Sequence, residues 1–195
     1  MHDKDIYLLR HGDTGLNKQY VGSSDVPLSP NGVNEVIKSC AFLSTINFDT
    51  VLCSPMKRCV DTAAHLTCSC PVLFHDFLRE IDFGRWEKKK FEEIVKSDKA
   101  EVDAWVDDPE TFSFPGGESL KHFQQRIIEA ANYLQESNDK IILVVCHGGI
   151  IRHLICTLLN IPDSQYLLFD IYPGCFTKVR LHKEGGVLTG LNLRG

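Results

Sequence analysis

The sequence lacks the features that mark membrane proteins and nucleic-acid-binding proteins. No apolar run reaches the roughly 20 residues that a membrane-spanning helix needs. The formal net charge of the 195 residues is -5, and no cationic run is longer than the three lysines at 88–90. Any anionic ligand must therefore be held by a local cluster of cations. We expect neither a membrane nor nucleic acid as a partner.

We expect no secretion signal, because residues 1–5 are polar and lead directly into a short apolar run. Without that signal, we expect the eight cysteines to be reduced thiols of a cytoplasmic protein. Cys68 and Cys70 are separated by one residue, which is closer than zinc ligands usually lie, and no matching pair follows them. The sequence therefore predicts no metal site and no cofactor.

Short apolar runs alternate with amphipathic segments along the chain. Hydrophobic residues make up 43% of the sequence and charged residues 24%, which suits one well-filled core. Helices are predicted after Ser29 and Ser54, from about Leu120, and from Gly149. The predicted strands lie at 6–9, 49–53, 72–74 and 141–145, with a hairpin formed by 175–181 and 187–193.

This order of elements predicts an α/β fold: a three-layer sandwich with a mainly parallel sheet, helices on both faces and a C-terminal β-hairpin. Residues 1–195 are predicted to form a single domain, with a helical excursion at about 82–117 where the periodicity weakens. The aromatic residues of that excursion could line a substrate cleft or pack beneath its helices. They are Trp86, Trp105, Phe112 and Phe114. The sequence does not predict the oligomeric state.

Five polar side chains follow the predicted strands. In an open α/β sheet, ligands bind outside the carboxyl ends of the strands. Arg10 and His11 follow the first strand, and His147 follows the fourth. Arg58 lies near the start of the helix after the second strand, and Glu80 follows the third. Two arginines, two histidines and one carboxylate are therefore expected to converge at one edge of the sheet.

This set of side chains suits phosphoryl transfer. Arginine offers a planar, permanently charged fork that matches two phosphate oxygens, and helix N-termini after Ser54 and around Gly148 would add backbone N–H groups. A neutral imidazole is a nucleophile at about pH 7, and neighbouring arginines discourage its protonation. A carboxylate can donate and then accept the proton that the reaction moves. We therefore expect an enzyme that acts on a phosphate ester without a metal.

Motifs along nearly the whole chain resemble those of the histidine phosphatase (phosphoglycerate mutase-like) superfamily. They lie at 9–14 with Asn17, and at 22–29, 53–58, 79–87, 115–119 and 146–149. One Arg-His-Gly triplet would be a weak signal, but this series in this order is specific. Two positions depart from the family's pattern. Lys88 stands where the family usually has glycine, and Cys146 where it usually has serine or threonine, which weakens a hydrogen bond expected from that side chain.

The resemblance implies a role for each converging residue. His11 would be phosphorylated on Nε2, with Arg10 beside it in the phosphate pocket, while Arg58 and His147 would complete the clamp. Glu80 would protonate the leaving oxygen and then activate water. The residues implied in substrate binding are Asn17, Gly22, Ser23 and Gly148.

Two assignments stay open at this point. Asp13, Asp82 and Glu87 lie near Glu80 in the sequence and could replace it as the proton donor. The other histidines have no evident partners and are interpreted as ordinary residues. They are His65, His75, His122, His153 and His182.

The expected function is hydrolysis of a small phosphomonoester through a phosphohistidine on His11. Within the superfamily, the segments at 79–87 and 115–119 are most similar to those of α-ribazole phosphatases, which act on α-ribazole 5'-phosphate in cobalamin biosynthesis. The near alternatives are a phosphoglycerate mutase and a broad-specificity sugar-phosphate or phosphoglycerate phosphatase. The alternatives of another class are a non-catalytic module that binds phosphorylated ligands and a metal-dependent hydrolase.

Overall fold

A six-stranded mixed sheet organises the chain in a computed structural model, which describes residues 3–195. Residues 1 and 2, part of the polar start, lie outside the described residues. The strands are β1 (Lys4–Arg10), β2 (Thr50–Cys53), β3 (Val72–Phe74), β4 (Ile141–Cys146), β5 (Phe176–His182) and β6 (Gly185–Leu193). In the order β3-β2-β4-β1-β5-β6, the first four are parallel, and β5 and β6 form an antiparallel hairpin. The predicted mainly parallel sheet and C-terminal hairpin are confirmed.

The α-helices of residues 3–195 are α1 (Pro30–Leu43), α2 (Lys57–Ala63), α3 (Phe91–Ser97), α4 (Lys99–Asp107), α5 (Leu120–Glu136) and α6 (Gly148–Leu158). Helix α1 begins as predicted, because the Ser29 hydroxyl accepts the Gly32 N–H at 3.0 Å. The predicted start of α2 after Ser54 is wrong by two residues: Met56 is the N-cap and its side chain makes no cap bond. The Ser54 hydroxyl instead contacts the ring of His147 at 2.8 Å.

Both faces of the sheet carry an apolar layer, because successive strand residues point to opposite sides. Ile6 and Leu8 of β1 face α5 and α6. Leu9 of β1 and Val145 of β4 face α1 and α2. This double burial explains the unbroken apolar runs of the central strands. The predicted helices on both faces of the sheet are confirmed.

The segment at 82–117 contains α3 and α4 and adds to the layer that α5 and α6 cover. Ile94 of α3 and Val102 of α4 are buried there with Trp86 and Phe112. Trp86 is fully enclosed, with 0% of its surface exposed. Trp86 and Phe112, which the sequence left open, are therefore packing residues.

Parallel pairing brings the ends of β1, β4 and β2 to one edge of the sheet. Arg10 is in register with Cys146, and the His11 N–H donates to the Cys146 carbonyl at 3.1 Å. Cys53, the last residue of β2, pairs with Val145. The residues that follow these three strands therefore leave the sheet side by side. Separately, none of the helices within residues 3–195 is both long and apolar enough to cross a membrane.

Candidate active site

His11 lies directly after β1, beside a small pocket of about 160 Å³. Its Nδ1–H donates to the Gly12 carbonyl at 2.8 Å, so Nε2 carries no proton when the ring is neutral. Burial, together with the charges of Arg58 and Arg10, lowers the pKa of His11 well below its usual value. His11 is therefore a neutral imidazole whose Nε2 can act as a nucleophile.

Arg58, in the first turn of α2, is fully buried and lies against both histidines. Its Nε–H is 3.2 Å from His11 Nε2 and 3.1 Å from His147 Nδ1. Its terminal N–H groups donate to the carbonyls of Ser24 at 2.9 Å and Gly22 at 2.8 Å. The arginine fork thus binds a loop of the protein, and only Nε–H faces the histidines. Burial lowers the pKa of Arg58, but a guanidinium stays charged.

His147 follows β4 and lies behind Arg58, with 0% of its surface exposed. Since Nδ1 accepts the Arg58 Nε–H, the proton is on Nε2, which donates to the Ser54 hydroxyl at 2.8 Å. The ring centroids of His147 and His11 are 5.1 Å apart. Burial lowers the pKa of His147 well below its usual value, and the charge of Arg58 lowers this pKa further. The structure therefore places His147 beside the predicted nucleophile but not on the pocket surface.

Arg10, the last residue of β1, lines the small pocket and a neighbouring cleft. One terminal N–H donates to the Ile171 carbonyl. Its Nε is buried and has no hydrogen-bond partner within residues 3–195. A Cβ added to Gly148 would lie 3.2 Å from this Nε, so the start of α6 approaches it closely. A buried donor without a partner costs about 1–3 kcal/mol, and an anion in the pocket could accept its hydrogen bond.

Glu80 lines both the small pocket and the cleft. Its Oε2 accepts the Gly149 N–H, in the first turn of α6, at 3.0 Å, and its Oε1 accepts the Ile81 N–H at 3.1 Å. Arg126 of α5 supports this loop, because it donates to the carbonyl just before Glu80 at 2.8 Å and pairs with Glu118 at 2.7 Å. Glu80 is therefore fixed at the junction of the two cavities.

The three carboxylates that the sequence left as alternatives are otherwise engaged. Glu87 accepts the backbone N–H groups of Gly22 and Ser23 at 3.0 and 2.9 Å. Asp82 accepts the Ser23 hydroxyl at 2.6 Å. Asp13 borders the small pocket, but its Oδ2 accepts the hydroxyl of the α1 N-cap at 2.8 Å. Glu80 has the most direct access to both cavities.

The predicted substrate-binding residues fall into two groups. Asn17 is exposed and lines the small pocket, and Gly148 lines the cleft. Gly22 and Ser23 do not line the small pocket, and their N–H groups point to Glu87. The structure therefore brings Asn17 and Gly148 to the cavities, whereas the N–H groups of Gly22 and Ser23 bind the Glu87 carboxylate.

Both departures from the family's pattern have a structural consequence. Lys88 has a φ of 61°, a left-handed conformation that glycine adopts without strain. Cys146 is fully buried in the layer under α5 and α6, and burial raises the pKa of its thiol well above the usual value. The hydroxyl that contacts His147 comes from Ser54, at the end of β2. The substitution at Cys146 therefore leaves His147 with a hydroxyl partner.

A larger cleft of about 360 Å³ opens beside the small pocket, and Arg10 and Glu80 line both. Its aromatic lining comes from several parts of the chain: Tyr20, Phe83, Trp105, Phe114, Phe123 and Tyr166. Two of the aromatic residues left open by the sequence, Trp105 and Phe114, therefore line the cleft. Within residues 3–195, no three His, Cys, Asp or Glu side chains form a group that could hold a metal ion.

Sequence reasoning missed one histidine of the cleft. His153, interpreted as ordinary for lack of a partner, lines the cleft and pairs with Asp163. Asp163 lies beyond the end of α6, at the start of a 3₁₀ turn (Asp163–Leu168). The position of His153 four residues after Gly149, on the same face of a predicted helix, was the available signal.

A neutral histidine with a proton-free Nε2, two arginines and a carboxylate meet at a small pocket, and this arrangement suits phosphoryl transfer. The model of the histidine phosphatase superfamily (branch 1) matches residues 6–194. The chain therefore belongs to the histidine phosphatase superfamily, and it is a phosphatase.

Curated relatives and a solved structure agree with this assignment. An Escherichia coli (strain K12) protein named adenosylcobalamin/alpha-ribazole phosphatase is 29% identical over 194 residues, which cover 97% of this chain and 96% of that protein. Phosphoserine phosphatase 1 of Hydrogenobacter thermophilus is 26% identical over 96% of this chain and 92% of its own length. The crystal structure of the alpha-ribazole phosphatase from Shigella flexneri superposes with a TM-score of 0.89 at 28% identity, and covers 97% of this chain and 96% of that one.

Proposed function

We propose that the chain hydrolyses a small phosphomonoester through a phosphohistidine on Nε2 of His11. The main support for this proposal is the hydrogen bond from Nδ1–H of His11 to the Gly12 carbonyl, which leaves Nε2 without a proton and directed toward the site. Burial and two arginines keep this ring neutral by lowering its pKa. Residues 1–195 act as a single phosphatase domain in this proposal.

In the first step, Nε2 of His11 attacks phosphorus, the ester P–O bond breaks, and Glu80 gives its proton to the leaving oxygen. As the Nε2 lone pair is used, the Arg58 Nε–H moves its hydrogen bond to a phosphate oxygen. Arg10 Nε and the N-terminus of α6 supply further donors for the phosphoryl charge. His147 acts as a positioning residue, because it accepts the same Arg58 Nε–H at 3.1 Å.

In the second step, water hydrolyses the phosphohistidine. The Glu80 carboxylate takes a proton from the water molecule whose oxygen attacks phosphorus. The N–P bond breaks, its electron pair returns to Nε2 of His11, and inorganic phosphate leaves. Glu80 is then protonated again and ready for the next ester.

For the natural substrate we propose α-ribazole 5'-phosphate, in cobalamin biosynthesis and in the cytoplasm. The substrates in the relatives' names include alpha-ribazole, phosphoserine and phosphoglycerate. The aromatic walls of the cleft favour a flat leaving group over the small, doubly charged serine.

The test is a phosphate-release assay with chelator present throughout. The substrates are α-ribazole 5'-phosphate, phosphoserine and 3-phosphoglycerate. We expect release to depend on His11 and to fall by about 10⁴-fold or more in His11→Ala, while the exposed-histidine control His65→Ala keeps wild-type rates. Alkaline quenching of the wild type should trap a phosphohistidine.

Four other results would contradict the proposal. Full activity in His11→Ala would exclude this nucleophile. Exchange between phosphoglycerate isomers in place of phosphate release would identify a mutase. Vanadate binding without phosphate release from any ester would indicate a non-catalytic module, and loss of activity with chelator would indicate a metal-dependent hydrolase.

A further inference from the structure

An Asp–His pair lies in the wall of the cleft, outside the set of residues used in the reaction. His153 of α6 contacts Asp163 through Nδ1 and Oδ1, which are 2.5 Å apart. Asp163 also accepts the side-chain N–H of Gln124, on α5, at 3.0 Å. Burial opposes its ionisation, but the bond from His153 lowers the pKa of Asp163. Asp163 is therefore an acceptor that fixes the proton of His153 on Nδ1.

The imidazole of His153 is held in one orientation. Tyr166 stacks on it with ring centroids 4.4 Å apart and an interplanar angle of 19°. Phe123 meets it edge-on at 5.2 Å and 87°. Because Nδ1 is bonded to Asp163, a ligand in the cleft that His153 lines would bond the ring through the opposite nitrogen, Nε2. The side chain of His153 is 8% exposed, and His153 is one of the residues that line the cleft.

His153 lies at a defined distance from the reacting groups. Gly149, which donates to Glu80 at 3.0 Å, precedes it by four residues on α6. Four residues of an α-helix rise about 6 Å and return to the same face. Gly148, Gly149, Arg152 and His153 all line the cleft, as this spacing requires. A leaving group whose ester oxygen is at Glu80 would therefore extend along α6 to His153.

We propose that His153, oriented by Asp163, is a specificity-determining residue that binds the leaving group of the ester. The proposal rests on the phosphatase function given above and refines it. The leaving group is an alcohol that carries a flat ring among the aromatic walls. It also carries a hydroxyl or ring nitrogen about 6 Å from the ester oxygen, which bonds to Nε2.

Two substitutions separate recognition from a purely structural role. In His153→Asn, the side-chain amide lies near the position of Nδ1. The contact with Asp163 is therefore kept, and the polar atom at the position of Nε2 is lost. In His153→Gln, the amide lies near the position of Nε2, so a polar atom is kept at that position. The readout is the ratio of kcat/KM for α-ribazole 5'-phosphate to kcat/KM for phenyl phosphate, whose leaving group has a flat ring but no second polar group.

We expect the ratio to fall roughly tenfold in His153→Asn, through KM for the ribazole ester, and to be restored largely in His153→Gln. A structural tie between α6 and the 3₁₀ turn would give the opposite order, with His153→Gln the worse variant in melting temperature and activity. That order, an equal loss of the ratio in both variants, or no change in either, would overturn the proposal.

The wild-type protein offers a measurement that does not depend on the folding of a variant. Titration of ¹⁵N-labelled protein with α-ribazole should shift the Nε2 resonance of His153, and no shift at saturation would overturn the proposal. Failure of the two proposals can also be told apart. Hydrolysis of phenyl phosphate but not of the ribazole ester would overturn the role of His153 and the proposed natural substrate but leave the phosphohistidine mechanism, whereas release from neither ester would overturn the phosphatase proposal itself.

Discussion

Gly149→Ala should reduce activity without reducing stability. A Cβ added to Gly149 would lie 2.4 Å from Glu80 Oε1 and 3.0 Å from its Cδ. The atoms it meets form the end of a flexible side chain, so the Glu80 carboxylate can move while the fold remains. Gly149 is in the first turn of α6 with no positive φ, and alanine is the better helix former by up to about 1 kcal/mol. The melting temperature should therefore stay level or rise.

The size of the activity loss follows from this displacement. Ordinary contact begins at 3.4 Å, so the carboxylate must retreat by about 1 Å from its place at 2.4 Å. It also loses its 3.0 Å hydrogen bond from the Gly149 N–H. A misplacement of about 1 Å costs on the order of 10²-fold in rate, and a general acid contributes about 10²- to 10⁴-fold. We expect kcat for an alkyl phosphate to fall by roughly 10²-fold.

Comparison with Glu80→Gln makes the assay specific. If Gly149→Ala acts by displacing the Glu80 carboxylate, the double variant that combines Gly149→Ala with Glu80→Gln should be no slower than Glu80→Gln alone. With p-nitrophenyl phosphate, whose leaving group departs as a phenolate, the first step needs little proton donation. Gly149→Ala should then give a burst of nitrophenolate followed by slow turnover. If Gly149→Ala turned over an alkyl ester at a near-normal rate, the carboxylate would not be displaced as expected. Additive losses of kcat in the double variant would likewise refute an effect through Glu80.

Three further changes test other parts of the structure. Lys88→Gly should raise the free energy of unfolding by roughly 0.5–1 kcal/mol in urea denaturation, because it relieves a left-handed φ of 61°. Lys4→Met should lower it by about 1–3 kcal/mol, since Lys4 Nζ donates to the α5 carbonyls of Leu134 and Gln135 at 2.9 and 2.6 Å. Acid should also destabilise the wild type: folding lowers the pKa of His147, so below about pH 6.5 the unfolded chain binds protons that the folded state does not. The free energy of unfolding then decreases as the pH is lowered, by up to about 1.4 kcal/mol per pH unit for such a group. In His147→Gln, this free energy should depend less steeply on pH.

The sequence was sufficient to predict which strand ends carry the site. Apolar runs fixed β1 and β4, and the rule for open sheets then placed Arg10, His11 and His147 at one edge. The N-cap of α1 could be predicted as well, because Ser29 bonds to a residue only three positions away. These features depend on local periodicity or on topology, both of which can be read from a single chain.

The hydrogen bonds that decide each role could not be predicted in the same way. Arg58 donates to Ser24 and Gly22, which are 34 and 36 residues away in the sequence. Glu87 is 65 residues from Gly22, whose N–H it accepts. No periodicity connects such positions, so neither the chemistry of arginine nor the family resemblance that implied substrate contacts at 22–23 could reveal these partners. Only the packed loop shows that these groups already have partners.

These partners explain why a fully buried arginine is tolerated at the proposed reaction centre. An isolated charge in that position would be unfavourable, but Arg58 has two carbonyls and two imidazole nitrogens around it. Both imidazoles can accept from Nε–H only while they are neutral. Protonation of either ring would place a second positive charge against the guanidinium, which is the same effect that lowers the pKa values of His11 and His147. The charge of Arg58 therefore keeps the proposed nucleophile unprotonated, while the neutral rings satisfy the donor that Arg58 would turn toward phosphate.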